Sequence, residues 1–400
     1  MHKSQKHSSV TAAFDRGPAR YFHGRKQILR DFREIATRAT QGKSGTTFLI
    51  QGAPGAGKTA LLAECEKLAQ KSEWETAEIS SAALWDLDEL QQSLKLRRTW
   101  KVGDGSARVG VSGIGGAEIN AERSSQTVKN LLRGGKKPLL LALDEAQILG
   151  KEDLIPSDQV HTVVDVLNSI HNGKLDRSVI LIAAGLGTTA DAFGSLGISR
   201  FAKRCLVELG ALDKEAERAV LYDWLTKEGK AKGETTAWID AIAQEAHGWP
   251  QHILSYVEAA LHQLHVDKRV MTAEGLTAVL NAGRSGRTAY YEQRARGFDE
   301  EYRQSFAKLF VDIPLGGSIT GSAIRSPLTQ EYGLDEAKML FRRAVEKGII
   351  DERSGRYVIP IPSMHDWLVS NYARERINFP HETPHILNSG DRSSGKDFGR

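Results

Sequence analysis

The chain has 400 residues, 40% hydrophobic and 26% charged, with a formal net charge of +4. That length exceeds one ordinary core and predicts two or three domains, while no apolar run is long enough to span a bilayer. The mild charge does not argue for a dedicated nucleic-acid binder, and the two cysteines, Cys65 and Cys205, sit far apart among apolar neighbours. They read as reduced core thiols of a cytoplasmic protein, not as a bridge or a metal site.

Residues 1–20 are polar, lack the apolar segment of a secretory signal and read as a flexible leader. From about Tyr21 to Leu209, five strand-like runs alternate with helical patterns: TTFLIQG, WETAEISS, PLLLALD, SVILIAAG and RCLVELG. The alternation predicts an α/β domain over 21–209, with a mostly parallel sheet covered on both faces. Between the second and third runs, the glycine-rich stretch from Thr99 reads as an exposed inserted hairpin.

The first run continues as FLIQGAPGAGKTALL, which holds G-x-x-x-x-G-K-T from Gly52 to Thr59 between a strand and a helix. That is the context a phosphate loop requires. Gly52, Ala53, Pro54, Gly55, Ala56 and Gly57 offer main-chain N–H groups that curl around an anion. Lys58, Thr59 and Ala60 open a helix whose N-terminus adds partial positive charge. Lys58 is expected to reach the β- and γ-phosphates, and the Thr59 hydroxyl to ligate Mg²⁺. In LLLALDEAQ, the apolar strand delivers Asp144 to the sheet's C-terminal edge, where it would hold the same Mg²⁺ through water. Glu145 beside it would orient and deprotonate an attacking water. NGKLD, Asn172 to Asp176, has the wrong spacing to read guanine and is taken as a helix-terminating turn. Adenine is the expected base, so ATP or ADP with Mg²⁺ is the expected ligand.

After Leu209 the strands stop, and helical spacing predicts an all-helical domain over 210–283. The basic stretch RSGRTAYYEQRARG reads as a link. From about Phe298, helices followed by GIIDERSGRYVIP, two strands around a turn, give a winged-helix pattern for a domain spanning 284–377. Its presumed recognition helix would turn Met339, Leu340, Ala344 and Val345 to the core and Lys338, Arg342, Arg343 and Lys347 outward, with Arg353 and Arg356 on the wing. Asp335, Glu336, Glu346, Asp351 and Glu352 are interleaved, so the local charge nearly cancels. Residues 378–400 read as a disordered tail.

With these motifs in place, the chain from about Tyr21 to Tyr372 resembles the AAA+ and STAND branch of P-loop ATPases, particularly bacterial and archaeal proteins similar to origin-recognition initiators. The resemblance implies an α/β P-loop NTPase sheet, an all-helical lid and a C-terminal winged helix. YFHGRKQILRDF looks like the family's N-terminal box, which implies Phe22, Gly24 and Arg25 near the adenine. Thr188 or Thr189 stands where relatives sense the γ-phosphate, with Thr188 taken as the candidate. Arg200 and Arg204 stand where relatives carry an arginine finger used across a subunit interface, Arg200 being preferred. HGWPQHI carries Gly248 and Pro250 of STAND lids, which implies that Pro250 packs on the adenine. Gln251 or His252 replaces the sensor arginine of initiators. Met364-His365-Asp366 reads like the M-H-D tripeptide whose histidine touches the β-phosphate, the plain alternative being a helix cap.

The expected activity is therefore that of an ATP-binding and hydrolysing switch, whose nucleotide state sets lid and winged-helix position and assembly. Catalysis would rest on Glu145, Lys58 and Arg200, and partners would be a homo-oligomer or another protein. Two rivals stand beside it. One is an ATP-dependent DNA-binding ATPase (initiator, transposition helper or defence ATPase) that meets duplex DNA through the winged helix. The other is a non-enzymatic scaffold plugged by its nucleotide.

Overall fold

The computed structural model describes residues 19–42, 45–79, 128–150, 157–198, 201, 203–314, 316–353 and 355–373. The glycine-rich hairpin, Arg200, nearly all of the leader and the tail lie outside the described residues.

β1 (Thr46–Gln51), β2 (Glu75–Ile79), β3 (Leu139–Leu143), β4 (Val179–Gly185) and β5 (Leu206–Glu208) form one parallel sheet in the order β2-β3-β4-β1-β5. The central strands LLLAL and VILIAAG are buried throughout, as strands covered on both faces are. Alternate residues feed two cores. Phe48, Ile50, Leu140, Ile180 and Ile182 meet α1 (Lys26–Gly42) and α2 (Lys58–Lys71) through Phe32, Leu61 and Cys65. Leu49, Leu141, Val179 and Leu181 meet α3 (Ser157–His171) and α4 (Thr189–Ser195) through Val166, Leu167 and Phe193. The period of two along each strand thus sorts side chains into layers. Cys65 and Cys205 are buried free thiols, and burial raises the pKa of both.

The lid is helical: α5 (Lys214–Asp223), a π turn over Trp224–Glu228, α6 (Thr236–Ala246), α7 (Pro250–Val266) and α8 (Ala273–Ala295). Leu221, Trp224, Trp238, Ile242, Tyr256 and Val257 fill its core. The expected link after Gly283 is not a link. α8 runs unbroken for 23 residues through RSGRTAYYEQRA, so the expected boundary falls inside a helix. Its glycines serve packing: Gly283 is buried with the Tyr256 ring where a Cβ would stand, and Gly286 lies beside Ser255.

The C-terminal block runs α9 (Glu300–Phe310), β6 (Ile319–Thr320), α10 (Gly321–Tyr332), α11 (Leu334–Glu346), β7 (Asp351–Arg353), β8 (Arg356–Val358) and α12 (Pro362–Tyr372). The antiparallel order β6-β8-β7 completes a winged helix, with β6 added to the elements expected. Leu340, Ala344 and Val345 of α11 are buried with Ala337, whereas Met339 is 45% exposed, against expectation. The cations of this block are largely engaged internally. Arg342 pairs with Glu346, Arg343 donates to Gly297 O, and Arg356 donates to Ser318. One core joins the α1 face of the sheet to this block through Trp249 and Tyr291. Among the described residues, no helix is long and apolar enough to cross a membrane.

Candidate nucleotide-binding site

The loop between β1 and α2 owes its shape to its glycines. Gly55 and Gly57 hold φ of 84° and 89°, the left-handed region where a side chain is strained. A Cβ on Gly55 would also stand 2.8 Å from Gln251 Cβ and 3.0 Å from Trp249 Nε1. Gly57 is the N-cap of α2 and supplies no side-chain cap bond, so the first N–H groups of that helix face a cradle suited to an anion.

Lys58 Nζ donates to Gly52 O at 2.8 Å and Ala53 O at 3.2 Å. Burial lowers its pKa to about 8, against the pull of Glu145 and Asp144. Thr59 Oγ1 donates to Asp144 Oδ2 at 2.8 Å, which joins the loop to the end of β3. Glu145 takes a left-handed φ of 57°, and its N–H donates to Asp144 Oδ1 at 3.0 Å. Its carboxylate accepts from Gln147 Nε2 at 2.6 Å, while Gln147 Oε1 accepts from Leu186 N at 3.1 Å. Gln147 thus ties Glu145 to the exit of β4. Nothing in the sequence marked it, because its role depends on two strand ends meeting.

Beyond β4, Thr189 is buried and its hydroxyl donates to Leu186 O at 2.6 Å, whereas Thr188 caps α4 without a side-chain cap bond. Arg204 pairs with Glu34 at 2.6 Å on its own chain. In the N-terminal segment, Arg25 donates to Gly210 O at 2.5 Å, Ala211 O at 3.3 Å and Ala56 O at 3.5 Å. It latches the segment to the phosphate loop and to the passage from sheet to lid, and its burial lowers its pKa. Phe22 packs at the edge of the same core. Gly24 has φ 79° and would place a Cβ 2.7 Å from Ala216 Cβ, so the turn sits tight against α5.

The lid leans directly on the loop. Gln251 N donates to Gly55 O at 3.2 Å, and Pro250 Cγ lies 3.7 Å from where a Cβ of Gly57 would be. Pro250 therefore stands over the phosphate loop itself. Buried Glu217 accepts from Gly248 N at 2.7 Å and holds this turn, and burial raises its pKa to about 7. Trp249 is fully buried beside Gly55, its indole N–H without an in-line acceptor. Tyr290 of α8 donates to Pro54 O at 2.7 Å. The wing also reaches the loop: a Cβ on Gly348 would stand 2.5 Å from Pro54 Cδ, and Asp351 lies against Gly187. Trp249, Tyr290 and Asp351 carry no local motif, and only the assembled fold brings them here.

His365 of the Met364-His365-Asp366 stretch is engaged within the winged helix. His365 Nε2 lies 3.0 Å from Ile313 O and 3.2 Å from Phe310 O, and Nδ1 lies 3.3 Å from Asp366 Oδ1. The ring is spent bracing the end of α9 inside the winged helix, and Met364 is core.

No family model and no curated protein matches the chain. Solved structures do. The Walker-type ATPase of Pyrococcus abyssi is similar with TM-score 0.53 at 15% identity, over 89% of this chain and 99% of its own. The ORC2 protein of Aeropyrum pernix is similar in its ADP form with TM-score 0.56 at 12% identity, over 91% and 98%. Its ADPNP–ADP complexes give 0.53 at 13%, over 88% and 94%. At such identities the likeness is one of fold. With a parallel sheet, a helical domain and a C-terminal winged helix, and with 88% or more of each chain covered, this protein shares its overall fold with these archaeal proteins.

Proposed function

We propose that the chain is an ATP-hydrolysing switch in which nucleotide sets the position of the lid and winged helix. The observation that carries this is the convergence of Lys58, Thr59, Asp144 and Glu145 on one glycine cradle roofed by Pro250 and Gln251. The residues fit a polyphosphate. The cradle is shaped by left-handed glycines, and the Lys58 ammonium is held by carbonyls it can exchange for phosphate oxygens.

Thr59 and Asp144, already paired, are the residues that would hold Mg²⁺, whose chemistry is to neutralise charge on the β- and γ-phosphate oxygens. Lys58 leaves Gly52 O and Ala53 O to grip the terminal phosphates of the substrate ATP. Glu145, oriented by Gln147, accepts a proton from water as the water oxygen bonds to the γ-phosphorus. The bond from that phosphorus to the bridging oxygen breaks, leaving ADP and phosphate. Thr188 would read the terminal phosphate, and Arg200 would act from a neighbouring copy, which would couple turnover to assembly.

Isothermal calorimetry and phosphate release test the reading together. Lys58→Ala is expected to lose ATP binding by about 100-fold or more, and Glu145→Gln to keep binding while turnover stops. Tight ATP binding by the Lys58 variant would refute the site.

A further inference from the structure

We propose that Tyr290 is a positioning residue for polyphosphate binding, which acts through the Pro54–Gly55 peptide by holding its N–H towards the anion. The inference rests on the nucleotide reading above and names a side chain that governs how that site grips phosphate.

The tip of the phosphate loop is a β-turn. Ala56 N donates to Ala53 O at 3.2 Å, with Pro54 and Gly55 between them. Proline in the second position and a glycine at φ 84° in the third are the marks of a type II turn. Types I and II differ in the facing of the central peptide, which turns over between them. Proline's fixed φ suits either type, and glycine accepts φ of either sign. The sequence of the loop therefore leaves the facing of its tip open.

Tyr290 closes that choice. Its hydroxyl donates to Pro54 O, the carbonyl of the central peptide, at 2.7 Å. In a trans peptide the C=O and N–H point to opposite edges, so a carbonyl held by α8 leaves Gly55 N–H directed away from α8. Among the described residues that N–H has no hydrogen-bond partner. The next peptide is also held by the lid, since Gln251 N donates to Gly55 O at 3.2 Å. A bond on each carbonyl polarises its own peptide and strengthens the opposite N–H as a donor.

The tyrosine is itself fixed. Its ring meets those of His252 at 5.7 Å and Tyr291 at 6.0 Å edge-on, and the Arg294 guanidinium lies over it at 4.9 Å. Burial raises the pKa of the hydroxyl, which keeps its proton and donates. Without that donor the two turn types compete. An anion must then select the type II fraction before Gly55 N–H can reach it, which lowers its apparent affinity.

The test is calorimetry of the full chain with ATP and with ADP in Mg²⁺, in a Glu145→Gln background that keeps ATP intact. Adding Tyr290→Phe, which keeps the ring, is expected to weaken both nucleotides about tenfold. The second readout, one that a merely structural tyrosine would not move, is the amide spectrum of the chain labelled with ¹⁵N-glycine. In the free chain Tyr290→Phe should shift or broaden the Gly55 signal and leave Gly57 in place, and saturating ADP should return Gly55 towards the parent's bound position. 4-Fluorophenylalanine placed at position 290 fills the space of the hydroxyl with no proton to give, and stands in should Tyr290→Phe fail to melt cooperatively. Affinities within about twofold of the parent, Gly55 and Gly57 signals altered alike, or a Gly55 signal that ADP does not return each overturn the inference and leave the nucleotide site intact. Absence of binding by either nucleotide before Tyr290 is altered is instead the failure of the parent reading.

Discussion

Gln147 carries a role out of proportion to its chemistry, because it orients the carboxylate of Glu145 while also fixing the backbone at Leu186. Gln147→Ala should leave ATP affinity unchanged and lower turnover about tenfold, a split between binding and rate that calorimetry and single-turnover kinetics separate. Glu217 offers a test by pH. Its folded value of about 7 lies above its ordinary 4.5 because burial disfavours the charged form. The stability it contributes is fully present below pH 4.5 and is lost as pH rises through 7. Glu217→Gln keeps an acceptor for Gly248 N but cannot ionise. Thermal melts over this range should therefore show the native protein losing stability relative to the variant as pH rises. A constant difference would mean that Glu217 stays charged in the fold.

Among the elements, α8 separates the two readings of its sequence most sharply. Ser285→Pro would be harmless in a link, but inside a helix it removes the bond to Asn281 O and clashes with it, at about 3 kcal/mol or more. We expect a clear fall in melting temperature. The reason α8 was misread is physical. Arg, Ser and Gly at 284–286 have the composition of a connector, and Gly283 is small because Tyr256 occupies its Cβ space, which no local pattern reveals. The sheet was legible for the opposite reason. LLLAL and VILIAAG are apolar on both faces, and the glycine and Lys-Thr spacing between a strand and a helix admits few other structures. The meeting of Thr59 with Asp144 followed from that topology, since β1 and β3, with only β4 between them, run parallel and end on the same edge. Asp351 was read as a wing charge among many, because its burial depends on how the wing sits on the sheet. The three letters around His365 left a sensor and a helix cap both open, because the Phe310 and Ile313 carbonyls that hold its ring come from a distant part of the chain.

For the molecule as a whole, lid and wing both touch the phosphate loop, at Gly55 and Pro54 respectively, so filling that loop disturbs three units at once. Trp249 is placed to report it. Quenching or enhancement of intrinsic fluorescence on adding ADP should vanish in Trp249→Phe while the other indoles remain. If Arg200 completes a neighbour's site, ATP turnover per chain should climb with protein concentration, and Arg200→Ala should abolish the climb.

The unbroken α8 also has a mechanical consequence. Its 23 residues make a rod of about 34 Å. A swing of roughly 10° about its first turn would carry its far end about 6 Å, more than one helical pitch. Small rearrangements deep in the lid are therefore magnified, by leverage alone, at the end where Tyr290 holds Pro54 and Arg294 holds Lys347.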